Sequence, residues 1–102
     1  MEDELEIKVF EKYFEQWIDR KKKYEMRIYG EKWNEKTCRV GKKAIIRCGS
    51  KGLSSVSGVI SGFSVVEACD LPQSDQDTIK EIWGTIDLTM ACIEINIEIE
   101  FY

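Results

Sequence analysis

Arg20-Lys21-Lys22-Lys23-Tyr24-Glu25-Met26-Arg27 decides how the rest of the chain is read. Four successive cations run into an alternating segment. A period of two puts Lys23, Glu25 and Arg27 on one face of a strand and Tyr24, Met26 and Ile28 on the other. A strand with one charged and one apolar face calls for an anionic or polar partner on its charged side.

Working outward, this run is the start of a basic block. From Arg20 to Lys51 the chain carries twelve Lys or Arg against three acids, a local balance of +9, whereas beyond Lys51 a single cation, Lys80, faces nine acids. The formal net charge of −4 conceals that asymmetry. A basic surface of this density attracts phosphates locally and in a salt-dependent way, although interspersed lysines also serve solubility alone. The aromatics before the run, Phe10, Phe14, Trp17 and Ile18 with them, fall at i, i+4, i+7 and i+8, which predicts an amphipathic helix ending near Asp19. A helix C-terminus favours cations, so Arg20, Lys21 and Lys22 also have a structural reason to be there.

The remaining segments read as follows. Leu5, Ile7 and Val9 alternate with charged residues and predict a short first strand; residues 23–29 predict the second, closed by Gly30. The polar loop over residues 31–42 holds Trp33 and Cys38, the tryptophan being either a lid on the core or a stacking surface. Ala44-Ile45-Ile46-Arg47-Cys48 suits a buried strand, and Gly49-Ser50-Lys51-Gly52 breaks it. Gly58 and Gly62, inside a strand-like run over residues 54–68, predict a curved barrel strand with a bulge or a close backbone approach. Ser74 and Asp77 resemble a capping box opening a short helix with Ile79, Ile82 and Trp83 buried and Gly84 at its end. Ile93, Ile95, Ile97, Ile99 and Phe101 alternate with Glu94, Asn96, Glu98 and Glu100, the clearest strand, with a solvated acidic face.

One hundred and two residues, 43% hydrophobic and 33% charged, predict one soluble domain with one modest core. The fold class expected is α+β: a small mixed or mostly antiparallel β-barrel flanked by two short helices. No apolar run is long enough to cross a membrane as a helix, and the acidic start lacks the basic character of a targeting peptide, so a cytoplasmic location without membrane contact is expected. With no histidine, and with Cys38, Cys48, Cys69 and Cys92 unpaired in spacing, neither a metal nor any other cofactor is expected, and the cysteines read as buried or half-buried free thiols.

The first strand, the helix, Lys22-Lys23-Tyr24-Glu25-Met26-Arg27, and Gly41-Lys42-Lys43-Ala44-Ile45-Ile46 leading to Gly58-Val59-Ile60 together resemble the ASCH domain, a branch of the PUA-like superfamily. The family motif reads approximately G-x-K-x-x-E-x-R, and Lys22, Glu25 and Arg27 match it in type and spacing. Arg20 stands where the family has Gly, and Lys23 where Thr is common. The resemblance implies a PUA-like barrel with a cleft beside the motif, binding single-stranded RNA or a modified nucleoside. Glu25 and Arg27 would read a base edge, Tyr29 or Trp33 would stack, and Lys21, Lys22, Lys43, Ser50 and Lys51 would supply charge and polarity.

It also admits a hydrolase, either a ribonuclease or an amidohydrolase of N4-acylated cytidine. In the latter Lys22 falls on the catalytic lysine, Glu25 takes the place of the catalytic Thr, and the later acid falls among Asp75, Asp77 and Glu81. Against both stands a plain surface ion-pair ladder of Lys22, Glu25 and Arg27. A protein-interaction role for the acidic edge at Glu94 to Glu100 is a further class.

Overall fold

The computed structural model describes residues 4–49 and 54–98. Ser50 and Lys51, and Ile99, Glu100 and Phe101 of the last expected strand, lie outside the described residues. The elements run β1 (Glu4–Val9), α1 (Glu11–Ile18), β2 (Tyr24–Ile28), β3 (Lys43–Cys48), β4 (Ser55–Glu67), a single 3-10 turn (Ala68–Asp70), α2 (Gln73–Trp83) and β5 (Thr89–Glu98). The expected α+β class, its element order and its two flanking helices are all present.

The five strands form one mixed sheet in the order β1-β3-β4-β5-β2. Only β1 and β3 are parallel, in a register that sets Glu4 opposite Lys43 and Lys8 opposite Arg47; the other three pairings are antiparallel. The sheet curls into a half-barrel. Two glycines make the curl, as expected of this run. A Cβ at Gly58 would stand 2.4 Å from the Asn96 carbonyl oxygen, so β4 and β5 can approach there only without a side chain, and the β4–β5 register shifts between Ile60 and Gly62.

The single expected core is instead two clusters on opposite faces of the sheet, because alternate residues of β2 and β5 are both covered. Ile93 and Ile95 pack with Ile7, Ile46, Ile60 and, from α1, Phe14 and Trp17. Met26 and Met90 pack with Ala68 and, from α2, Ile79. Each helix covers one face, which is why neither face of β2 is left to solvent.

Several local expectations change. In α1 the buried stripe is Phe14 and Trp17, while Phe10 precedes the helix and is 67% exposed. Ile18 is also exposed, and so is Ile82 in α2. The helix α2 begins at Gln73 after Pro72, whose carbonyl accepts from the Asp75 and Gln76 amides, so Ser74 lies inside the first turn and caps nothing. Proline presets the backbone angle for helix entry and needs no hydroxyl to do it. Gly84 does end α2 in the left-handed conformation (φ 80°). The cysteines are free thiols, but Cys69 is exposed rather than buried. No helix among the described residues is long and apolar enough to cross a membrane.

The end of α1 is built on the opening sequence stretch. The Lys21 amide donates to the Gln16 carbonyl (2.9 Å) and the Arg20 amide to that of Trp17 (3.2 Å). This is the bond pattern of a Schellman turn, and Arg20 sits at its left-handed position with φ 59°. The turn that a glycine normally makes is made here by an arginine.

Candidate functional site

The half-barrel stays open between its two edge strands, β1 and β2, and the cleft lies in that opening. Arg27 spans it. Its Nη2 donates to the Lys8 carbonyl of β1 (2.8 Å), and its Nη1 donates to the Met26 carbonyl of β2 (2.9 Å) and to Glu25 Oε2. A forked, planar guanidinium can serve both edges at once. Beside this bridge opens a cleft of about 560 Å³, a size typical of small-molecule sites.

The floor of the cleft is the matched triad. Glu25 is 4% exposed, so the open-surface ion-pair ladder is ruled out for it. Its Oε1 accepts from Trp17 Nε1 (3.1 Å) and pairs with Lys22 Nζ (3.3 Å), and its Oε2 takes Arg27. A carboxylate has roughly four lone-pair positions. Three are in use, so Glu25 acts chiefly as a hub that orients two cations. Arg27 keeps Nε–H and one Nη2–H beyond the three bonds described. Lys22 is the least committed of the three: one partner is Glu25, and its ammonium also stands 5.1 Å from the Tyr13 ring centroid. The triad carries one net positive charge, and every buried side-chain polar atom among the described residues has a partner. The floor is therefore preorganised without a ligand.

The walls are largely apolar and aromatic: Phe10 just before α1, Tyr13 within it, and Ile82 and Trp83 from α2, with Thr78 beside them. Phe10 and Tyr13 lie 6.5 Å apart between ring centroids. None of these five was a candidate in the sequence reading. The only signal for them was an excess of large apolar residues at the margins of two short helical stripes, more than one buried face can hold.

The other sequence candidates are dispersed. Lys21 is exposed and does not line the cleft. Tyr29 is turned to Glu35, donating its hydroxyl at 2.8 Å. That bond pushes the Tyr29 hydroxyl above its ordinary range, while Glu35 is held below its own, first by a backbone hydrogen bond and then by Tyr29. Trp33 packs half-buried against the α1-side core with the Arg27 guanidinium 5.4 Å from its ring centroid, so it backs Arg27 rather than offering a free stacking face. Lys43 pairs with Glu4 across the parallel strands at 3.7 Å. Ser50 and Lys51 lie outside the described residues.

Nor do the acids of α2 reach the cleft floor. Asp75 accepts from the Tyr24 hydroxyl (2.8 Å), Asp77 from Gln73 Nε2 (2.9 Å), and Glu81 pairs with Lys12 (3.9 Å). What α2 contributes is the Thr78 hydroxyl, which donates to the Ser74 carbonyl (3.1 Å) and keeps its acceptor capacity. No cluster of three or more His, Cys, Asp or Glu suited to a metal exists among the described residues.

No protein-family model matches the chain, and no curated protein does. Solved structures similar to it include the following two. The crystal structure of hypothetical protein PH0355 superposes with a TM-score of 0.69 at 20% identity, covering 94% of this chain and 100% of that one. The solution NMR structure of protein PF0455 from Pyrococcus furiosus gives 0.57 at 20% identity, over 97% of this chain and 100% of its own. At that identity the likeness is one of fold: the chain shares with both proteins a small α+β half-barrel flanked by two helices.

Proposed function

We propose that this protein is an ASCH-like module that binds single-stranded RNA or a modified nucleoside by taking one base into the cleft. The observation that carries this reading is the placement of Lys22, Glu25 and Arg27 together on the floor of an aromatic-walled cleft. A base has apolar faces and a polar edge, and the cleft offers the matching surfaces: rings of Phe10, Tyr13 and Trp83 for the faces, N–H donors of Lys22 and Arg27 for the edge. The left-handed Arg20 supports the ASCH resemblance, since the family's glycine position here keeps the conformation glycine favours. Titration of the tryptophan emission, to which Trp17, Trp33 and Trp83 all contribute, with cytidine, N4-acetylcytidine and a short single-stranded RNA tests it. Saturable quenching that weakens about tenfold or more in Lys22→Ala is expected. Absence of binding to all three, or equal binding by the variant, overturns the reading.

A hydrolase reading is favoured by one observation: Thr78 brings a hydroxyl to the cleft that also holds Lys22. For an N4-acylated cytidine, water would add across the amide carbonyl and release cytidine and the carboxylate. Lys22, ion-paired to Glu25, would have to pass its proton to that carboxylate before acting as a base or nucleophile. Hydrolysis of N4-acetylcytidine that disappears in both Lys22→Ala and Thr78→Val is the expected result. No turnover by concentrated wild-type protein excludes it.

A further inference from the structure

Lys22 stands in the wall between two concavities. On its far side from the cleft lies a shallow groove of about 410 Å³ whose polar margin is Arg20, Lys22, Lys23, Ser61, Glu94 and Asn96. Three cations face one carboxylate there, and that carboxylate is engaged: Glu94 Oε1 accepts from Ser61 Oγ at 3.1 Å. Lys22 is shared with Glu25, but the side chains of Arg20 and Lys23 make no ion pair among the described residues. Their placement is fixed from the backbone. The Lys23 carbonyl accepts from the Ile95 amide (3.0 Å), which lays Lys23 alongside β5, and Arg20 is held at φ 59° by the turn that ends α1. An arginine at a left-handed position is strained where a glycine is not, and unpaired like charges repel. The helix end favours a cation here but does not require an arginine at this left-handed position, whereas an anion in the groove would engage it.

We propose that this groove is a phosphate subsite, so that the ligand is a phosphorylated nucleoside or an oligonucleotide rather than a free nucleoside. The inference rests on the reading of the cleft as a base site. The base enters the cleft, Lys22 spans the boundary, and the phosphate of the same or the adjoining nucleotide meets Arg20 and Lys23. The Asn96 amide supplies a neutral hydrogen bond to a phosphate or ribose oxygen, and Ser61 Oγ, whose proton goes to Glu94, can accept from a ribose hydroxyl.

The test compares cytidine with cytidine 5′- and 3′-monophosphate in the wild type and in Arg20→Gly/Lys23→Gln, reading the ratio of affinities within each protein. Glycine suits the left-handed turn, so the double variant keeps the fold, which circular dichroism verifies. In the wild type one monophosphate binds about tenfold tighter than cytidine at low salt, an advantage that shrinks as added salt screens the phosphate from Arg20 and Lys23. In the variant the ratio drops towards one. Equal affinities in the wild type, or an advantage that survives in the variant, overturn the proposal. If neither cytidine nor either monophosphate binds, the base-site reading is what has failed. Inorganic phosphate then decides the groove separately: shifts of the Ser61 and Asn96 amide resonances that vanish in the variant uphold the anion site, and their absence removes it.

Discussion

Trp17 Nε1 donates a hydrogen bond of 3.1 Å to Glu25 Oε1, joining the largest fully buried side chain to a carboxylate that is only 4% exposed. The core thereby holds the floor of the cleft. Glu25→Ala would leave the indole N–H without its acceptor and two cations without their counter-charge, a loss of about 3–5 kcal/mol in unfolding free energy. Glu25→Gln keeps an oxygen for Trp17 and should cost less than the alanine variant. Urea denaturation of the two variants measures both; an alanine variant as stable as the glutamine one would contradict the role of hub.

Arg27 replaces a strand pairing at the seam of the half-barrel. Lysine keeps the charge but not the fork, so Arg27→Lys cannot serve Lys8, Met26 and Glu25 together. A loss of about 1–3 kcal/mol is expected. The location of the loss is the sharper readout. Hydrogen exchange should accelerate in β1 and β2 while the β3–β4–β5 pairings stay protected, and a uniform acceleration would show that Arg27 does not act at the seam.

How much of this was legible in the sequence depended on whether the signal was local. The alternation at Leu5, Ile7 and Val9, the run of isoleucines in β5 and the glycines of β4 declare their elements through neighbouring residues, and the element order followed. The faces of β2 did not. A period of two separates Glu25 from Met26 but cannot say that both faces are covered. The charged face is buried because Trp17, eight residues earlier, supplies a donor and Lys22 and Arg27 supply the charge. The triad was legible as a motif. Its walls were not, since Phe10 and Tyr13 meet Thr78 and Trp83 only after β1 and β2 become opposite edges of one curled sheet.

Gly58 offers a test of that curl. An alanine there must push against the Asn96 carbonyl oxygen and carbon and the Ile97 Cα, all within 3 Å of the added Cβ and all backbone. Backbone cannot yield as a flexible side chain can, so Gly58→Ala should destabilise by about 2 kcal/mol or more. Gly62→Ala is the control, because its nearest neighbour is the Glu94 Cβ at 3.4 Å. Thermal unfolding should show a clear fall for the first and a small change for the second. Similar values would mean that the β4–β5 approach does not need Gly58.

The helix α2 is tied to β2 by the Tyr24 hydroxyl, which donates to Asp75 at 2.8 Å. That bond, with partial burial and the nearby charge of Asp75, pushes the tyrosine up from 10.0 to about 12. The folded protein thus binds the phenolic proton more tightly than the unfolded chain does. Linkage then requires that the contribution be fully present below pH 10 and lost as the pH rises through about 12. Because Tyr24 is 36% exposed, solvent screening limits it to about 1 kcal/mol. The stability difference between wild type and Tyr24→Phe should be constant below pH 9 to 10 and shrink above it; a difference that does not change with pH would dissociate the bond from stability. Cys92 gives a second readout. Burial is the larger cause of its raised thiol and Asp75 the smaller, so Asp75→Asn should increase its alkylation rate only slightly at neutral pH. A large increase would mean instead that α2 has come away from the sheet.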